Sequence, residues 1–308
     1  MDHVRRRTGG SCRRRLLAAA TATLAGILAS ACAAPNVASE SNASHASRSK
    51  HAGQGANNSA AAGRRGGSRS APPPGHRHVV RAKPLAGKIV GIDPGHNGLN
   101  GTDPAYLAHQ VFNGRTMENC NTTGTQTASG YTESLFNWNV ARYLIADLRK
   151  DGARVVLTRR NNHGIGPCVD KRSTMLNHTD VAIDIHADGG PSWGRGFTVL
   201  EPIADGPNNK VIGSSIRFGQ FVHQAILAHT PMRVSNYYGR GGYIFRKDLA
   251  GLNLTTVPKV LIECGNMPNP ADAALLTTPR VQRRIARALE AAIIRFLTGH
   301  WPSAQPTG

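Results

Sequence analysis

The chain has 308 residues and a formal net charge of +19, with 37 lysines and arginines against 18 aspartates and glutamates. The excess is concentrated in residues 1–83, which hold 14 basic and 2 acidic residues. These basic residues are not interleaved with aromatic side chains, so the charge does not indicate nucleic-acid binding. Residues 84–308 are mildly basic and long enough to form one sizeable core.

Residues 1–33 have the features of an export signal peptide. Two arginine triplets, at 5–7 and 13–15, precede an apolar stretch from 16 to 28 that is too short for a permanent membrane span. Cleavage after this stretch would release a soluble protein. The residues before Cys32 are also similar to a lipobox, so membrane attachment is expected only if Cys32 is lipidated. Either way, the protein is expected in the periplasm or cell wall.

Residues 34–83 are rich in Ser, Ala, Gly, Asn, Arg and His. Such a segment cannot bury enough apolar surface to offset the entropy lost on ordering, so we predict a disordered basic linker. Its arginines and histidines either hold it against an anionic polymer or phospholipid, or have no specific partner. The composition changes at residue 84. We predict one catalytic domain at 84–300 and a flexible tail at 301–308.

Within this domain, apolar runs typical of strands alternate with amphipathic helical patterns. Strands are predicted at 88–93, 154–158, 181–185, 197–200 and 260–262, and helices at 133–148, 170–177, 210–229 and 279–298. This order predicts a single α/β domain with a twisted, largely parallel sheet and helices on both faces. Residues 97–131 lack helical periodicity and are predicted to form a long loop.

Three cysteines, Cys120, Cys168 and Cys264, follow the signal peptide. Because disulfides form in exported proteins, we expect two of the three to pair. Cys264 follows an apolar strand and should be buried, whereas the other two lie in irregular segments. We therefore predict a Cys120–Cys168 disulfide that fastens the long loop to the domain. The pairings 120–264 and 168–264 stay open.

Four ionisable side chains stand at the ends of predicted elements. His96, His186 and Glu263 each follow a strand, and Glu133 opens a helix. Sites in open α/β sheets gather at the carboxyl ends of the strands, so we expect these residues to meet there. Two histidines and Glu133 form a three-ligand set for Zn²⁺, and three protein ligands with an open position are typical of zinc sites that catalyse hydrolysis. Glu263 is then available as a base.

Several of these residues also have a structural interpretation. Asp93, Asp184 and Asp188 flank the histidines, and they either orient the imidazole rings or form turns at the strand ends. Glu263 is expected to be half-buried, where burial and a nearby metal act on its pKa in opposite directions and prepare it for proton transfer. The alternative is a buried salt bridge, for instance with Arg172.

The ordered set of motifs resembles the zinc-dependent N-acetylmuramoyl-L-alanine amidases of the amidase-3 type. The resemblance covers residues 86–298 and is carried by Asp93-Pro94-Gly95-His96, Glu133, Thr158-Arg159, Arg172, Asp184-Ile185-His186-Ala187-Asp188 and Ile262-Glu263-Cys264-Gly265-Asn266.

This resemblance implies one Zn²⁺ bound by His96, Glu133 and His186, with Glu263 as the catalytic acid and base. It implies cleavage of the amide between the lactyl group of N-acetylmuramic acid and L-alanine, in peptidoglycan or its muropeptide fragments. Arg172 would have a substrate-binding or structural role.

Two features differ from the usual family pattern. Asn97 and a long loop follow His96, where the family usually has a second glycine and a short loop. Cys264-Gly265-Asn266-Met267 follows Glu263, where Thr or Leu and then Gly-Phe are usual. The long loop bears on the shape of the substrate groove. No autoinhibitory helix is inserted between Arg195 and Val260, so we expect a monomer that needs no activating partner.

Two other functions are compatible with the same residues. A zinc peptidase that cuts within the stem peptide would use the same ligands and base. A cell-wall-binding regulator could keep the amidase fold without catalysis, although binding alone would not require Glu263.

Overall fold

The computed structural model describes residues 83–204 and 206–302. The predicted signal peptide, Cys32, the linker up to residue 82 and the tail residues 303–308 lie outside the described residues. Within the two described ranges, no helix is long and apolar enough to cross a membrane.

Strands and helices alternate along most of the described chain. The strands are β1 (Ile89–Pro94), β2 (Gln110–Phe112), β3 (Met117–Asn119), β4 (Arg154–Leu157), β5 (Val181–Asp188), β6 (Thr198–Pro202), β7 (Tyr243–Arg246) and β8 (Lys259–Asn266). The helices are α1 (Pro104–Ala108), α2 (Glu133–Lys150), α3 (Val169–Met175), α4 (Ile212–His229), α5 (Ala250–Asn253), α6 (Pro270–Leu276) and α7 (Pro279–Thr298).

Six strands form one sheet in the order β4-β1-β5-β8-β6-β7. Strands β4, β1, β5 and β8 are parallel to one another. β6 runs antiparallel to β8, and β7 is parallel to β6. The predicted largely parallel sheet is therefore confirmed, with one reversal. The carboxyl ends of β1, β5 and β8 lie at the same edge of the sheet.

The residues of β5 alternate between two differently packed faces of the sheet. Ile183 and Ile185 are buried in the main core together with side chains of α2 and α7. Ala182, which points the other way, packs with Leu176 and Val257 beside α3 and α5. Helices therefore cover both faces, as predicted. The alternation also places His186 on the same face as Ala182, where β5 reaches its carboxyl end.

The segment 97–131 is not the featureless loop predicted from its sequence. It contains a turn of 3-10 helix, the helix α1 and the hairpin β2–β3. Asp103 accepts a hydrogen bond from the Tyr106 N–H at 2.9 Å and so caps α1. The Asn113 side chain accepts from the backbone N–H groups of Arg115 and Thr116 in the hairpin turn, at 3.0 Å each. Elements of three to five residues are too short to show a periodic pattern.

The edge strand β7 and the helices α5 and α6 were also not predicted. α6 begins after Asn269, whose side chain accepts from two backbone N–H groups, with Pro270 at the first helical position. The helix predicted at 210–229 begins as α at Ile212, after a turn of 3-10 helix. The long amphipathic helix α7 begins and ends where its pattern predicts.

The cysteines are arranged in the way that suits the predicted pairing. Cys120 and Cys168 have their α-carbons 4.4 Å apart and their sulfur atoms at disulfide-bonding distance, which ties the end of the hairpin to the start of α3. Cys264 is buried in the core on the opposite face of the sheet. The fold therefore does not bring together the alternative pairings with Cys264.

Candidate metal centre and active site

Two histidines and a glutamate converge at the carboxyl edge of the sheet. His96 Nε2 lies 3.1 Å from Glu133 Oε2, and His186 Nδ1 lies 2.8 Å from Glu133 Oε1. The two imidazole rings meet edge to face with their centroids 4.9 Å apart. One nitrogen or oxygen of each residue lies within 4.8 Å of the others. The sequence-predicted ligand set is thus brought together from β1, α2 and β5.

Glu133 is held in place by backbone donors. Its Oε2 accepts from the Thr125 N–H at 3.0 Å, and its Oε1 accepts from the Ala187 N–H at 3.3 Å. Only 4 % of the residue is exposed. Burial opposes ionisation, but the two neighbouring histidines outweigh it and hold the pKa of Glu133 well below its usual range. The carboxylate is therefore anionic and faces the histidines.

His96 lies on a turn that orients its ring. The residue has a φ of +57°, a left-handed conformation in which histidine is enriched among non-glycine residues. Its Nδ1 is 3.2 Å from the Thr122 carbonyl oxygen. A neutral ring that donates there keeps Nε2 free towards Glu133. Burial opposes a charge on His96, but Glu133 outweighs it and raises the pKa of the imidazole in the absence of a metal.

Glycines leave the space that this group requires. A Cβ at Gly124 would lie 2.8 Å from Glu133 Oε2, and a Cβ at Gly95 would lie 2.1 Å from the His186 ring. Any larger residue at either position would displace a candidate ligand. Two imidazole nitrogens and one carboxylate oxygen are a donor set that suits Zn²⁺. The residues present therefore fit a metal ion held by three protein ligands.

Glu263 lies beside this group. It pairs in register with His186 on the neighbouring strand, so both side chains rise from the same face of the sheet. Its Oε2 is buried, with no hydrogen-bond partner among the described residues. Burial, followed by the negative charges of Glu133 and Asp188, raises the pKa of Glu263 well above its usual range, and Arg246 acts in the opposite direction. A carboxyl group in this setting is suited to proton transfer.

Comparison with known proteins shows the family. Residues 90–295 match the model of the family described as N-acetylmuramoyl-L-alanine amidase. The chain belongs to this family. It is 41% identical over 217 residues to the N-acetylmuramoyl-L-alanine amidase Rv3717 of Mycobacterium tuberculosis, covering 69% of this chain and 88% of the relative. The resemblance inferred from the motifs is confirmed.

Solved structures of similar amidases have the same fold. The Ami1 amidase of Mycobacterium smegmatis is 40% identical and superposes with a TM-score of 0.66, covering 70% of this chain and 99% of that structure. Ami1 of Mycobacterium abscessus is also 40% identical, with a TM-score of 0.65, covering 69% of this chain and all of that structure. The α/β fold predicted from the sequence is therefore confirmed.

Arg172 has a structural position in this amidase. It is 2% exposed. Its Nη1 donates to Asp93 Oδ1 at 2.6 Å, and its Nη2 donates to the His96 carbonyl oxygen at 2.6 Å. The alternative salt bridge between Arg172 and Glu263 is wrong, because Asp93 takes the guanidinium. Arg172 thus fastens α3 to the turn that carries His96.

Replacing Arg172 with alanine should cost about 3–5 kcal/mol of unfolding free energy, because the Asp93 carboxylate would be left buried and unpaired. Urea unfolding at pH 7 measures the loss. Arg160→Ala is the matched control, since Arg160 is nearby in sequence and exposed, and it should change stability by less than about 0.5 kcal/mol. Equal stability of the two variants would contradict a structural role for Arg172.

The ion pair between Arg172 and Asp93 also makes its contribution to the unfolding free energy depend on pH. Burial opposes the charge of Asp93, but Arg172 and other donors outweigh it and lower the pKa from 3.8 to about 2. A depressed carboxyl pKa stabilises the fold above the unfolded-state value of 3.8. This stabilisation is lost as the pH falls towards 2, so the deficit of Arg172→Ala should shrink over that range.

Arg159, the other arginine among the family motifs, contacts the same turn. It donates from Nε to the Pro94 carbonyl oxygen at 2.7 Å and from Nη2 to the Ser134 carbonyl oxygen at 2.7 Å. The turn before His96 is thereby joined to the first turn of α2, which carries Glu133. Arg159 therefore fixes the position of His96 relative to Glu133, although the two candidate ligands come from separate elements.

Asp184 and Asp188, which flank His186, each contact a side chain that the sequence did not indicate. Asp184 forms a buried ion pair with Lys259, at 2.9 Å between Nζ and Oδ1. Asp188 Oδ2 accepts from the Tyr237 hydroxyl at 2.5 Å. Lys259 and Tyr237 were both missed. A lysine just before the apolar run of β8 could have indicated a buried partner, but Tyr237 lies in a loop with no such signal.

Proposed function

We propose that this amidase hydrolyses the amide between the lactyl group of N-acetylmuramic acid and L-alanine in peptidoglycan. His96, Glu133 and His186 would hold one Zn²⁺, and Glu263 would serve as general base and general acid. One observation carries the assignment of roles. The buried carboxyl group of Glu263, whose Oε2 has no hydrogen-bond partner within residues 83–204 and 206–302, stands in register with a candidate metal ligand, inside the cleft that also holds the other two candidate ligands.

When bound, zinc would supply a Lewis acid that acidifies water and polarises the amide carbonyl. Glu263 would take a proton from the attacking water and return it to the leaving L-alanine nitrogen. The carboxyl group has a high pKa because it is buried near Glu133 and Asp188. A divalent cation at the histidines would offset this repulsion and bring the pKa closer to the working pH.

We also infer that the protein acts outside the cytoplasm, as a monomer that needs no activating partner. Relatives named as amidases of N-acetylmuramoyl-L-alanine support a cell-wall substrate. The close approach of Cys120 and Cys168 supports a disulfide that closes a loop with a sequence separation of 48. Such a bond would suit an oxidising compartment.

Digestion of purified peptidoglycan by the full chain, followed by mass spectrometry, tests this function. We expect muramic acid residues with free lactyl carboxyl groups, together with stem peptides that begin at L-alanine. A peptidase acting within the stem would leave L-alanine attached to the sugar. A non-catalytic regulator would bind the polymer and release nothing. Either of these outcomes would contradict the proposal.

A further inference from the structure

Arg246 is the one lysine or arginine among the described residues that line the cleft of the candidate metal centre. The acidic side chains of the cleft lining are Glu133, Asp188 and Glu263, which lie beside the two candidate ligand histidines. Arg246 is therefore the side chain of this lining that offers a permanent positive charge to an anionic group of a substrate. Leu200 and Leu261 also line the cleft, and Leu200 lies on β6 between the residue that pairs with Glu263 and the residue that pairs with Arg246.

The guanidinium of Arg246 is held in a fixed orientation. Its Nε donates to Asp248 Oδ1 at 2.6 Å, and its Nη2 donates to the other carboxylate oxygen of Asp248. Its Nη1 donates to the Tyr238 hydroxyl oxygen, and the guanidinium carbon lies 6.0 Å from the centroid of that ring. The side chain is 25% exposed, so it is anchored and still accessible from the cleft.

The anchoring leaves donors available for a ligand. A guanidinium has five N–H groups in a planar fork. The contacts with Asp248 and Tyr238 use three of them. One N–H on Nη1 and one on Nη2 then have no partner among the described residues. One N–H on each terminal nitrogen of a guanidinium can together match the two oxygens of a carboxylate.

The position of Arg246 determines how far from the scissile amide a substrate carboxylate must lie to reach it. Glu263 pairs with Thr198 of β6, and Arg246 pairs with Pro202 of the same strand. The two backbones are therefore separated by two strand spacings (~10 Å) across the sheet and four residues (~13 Å) along it. Both side chains extend into one cleft and shorten this distance. The distance left between the guanidinium of Arg246 and the carboxyl group of Glu263 is about two to three extended residues, ~7–10 Å.

We propose that Arg246 binds a carboxylate of the stem peptide, two or three residues beyond the scissile amide, and thereby determines which stem peptides are cleaved. The inference rests on the proposed function, since the cleft must hold a peptide whose first amide is at the candidate metal centre. Arg246 would contact the substrate away from the reacting atoms, so it would act on specificity.

The test compares kcat/KM of the full-length zinc-loaded enzyme for muramyl tripeptides that differ in one group. The reference peptide has free carboxylates on its second and third residues, and each is replaced in turn by a carboxamide. We expect one of the two amidations to lower kcat/KM of the unaltered enzyme by about 10–100-fold, the range of a charge-assisted hydrogen bond. Arg246→Gln should show the same loss on the reference peptide and should no longer distinguish it from that carboxamide.

Two further variants separate binding from folding. Arg246→Lys keeps the charge without the fork and should retain part of the discrimination. Arg240→Gln removes an exposed arginine from the turn before β7 and should behave as the unaltered enzyme does. If Arg246→Gln does not fold, the discrimination by the unaltered enzyme and by Arg246→Lys still decides.

The outcomes distinguish this inference from the proposed function. Equal cleavage of all three peptides by the unaltered enzyme would overturn the role of Arg246 and leave the amidase function intact. An Arg246→Gln variant that loses activity equally on every peptide would show a purely structural role and would also overturn it. Cleavage of none of the peptides would overturn the proposed function and this inference with it.

Discussion

Replacing Glu263 with glutamine should lower kcat for amide cleavage by roughly 10²–10⁴-fold, the usual contribution of a general acid–base group. Glutamine has nearly the same shape but neither accepts nor returns a proton at the catalytic step. Zinc content should stay the same, because the candidate ligands do not include this side chain. The thermal midpoint should not fall, since Glu263 Oε2 loses no hydrogen bond among the described residues.

Glu201→Gln is the matched control for this experiment. Glu201 is also buried, at 2% exposure, and its Oε1 has no hydrogen-bond partner among the described residues. Burial raises the pKa of Glu201 to about 7. Its side chain, however, packs against Gly219 of α4, away from the metal-binding group. We expect full activity for Glu201→Gln. Retained activity in Glu263→Gln would contradict the assigned role of Glu263.

Replacing His186 with alanine should remove zinc binding and, with it, activity. Two protein ligands would remain, and Glu133 Oε1 would lose its 2.8 Å contact with His186 Nδ1. Loss of a direct ligand should cost more than the 10–100-fold in affinity that is typical when a supporting residue is lost. Metal analysis after dialysis against a competing chelator measures this, alongside the rate of amide cleavage.

His178→Ala provides the comparison for the metal analysis. His178 is an exposed histidine in the turn that precedes β5, so it lies at the opposite end of the strand that carries His186. This variant should bind zinc and cleave substrate as the unaltered enzyme does. A His186→Ala variant that keeps stoichiometric zinc under the same dialysis would show that the metal is bound elsewhere.

The sequence predicted the sheet and the candidate ligands because both rest on patterns with a physical cause. The apolar run of β5 predicted a buried strand, and His186 stands where that run ends. In a parallel sheet such ends meet at one edge. Glu133 was predicted at the start of a helix, and α2 does begin there. The candidate ligands come together because the fold places these ends next to each other.

What the sequence could not predict depends on pairing between distant segments. The reversal of β6 relative to β8 leaves no mark in the composition of either strand. Asp93 and Arg172 are 79 residues apart and meet only in the folded chain. Arg246 was not predicted as a site residue, because the edge strand β7 has only four residues and the position of Arg246 in the cleft follows from the sheet order.

Zinc titration of the metal-stripped enzyme tests the central claim most directly. The full chain is freed of metal with a chelator, and zinc is added back in steps while release of L-alanine-terminated peptide from muramyl peptide is followed. We expect no cleavage without zinc, a linear rise, and a plateau at about one zinc per chain, as three ligands around one open position imply. Undiminished cleavage by the metal-stripped protein would contradict the assignment of His96, Glu133 and His186.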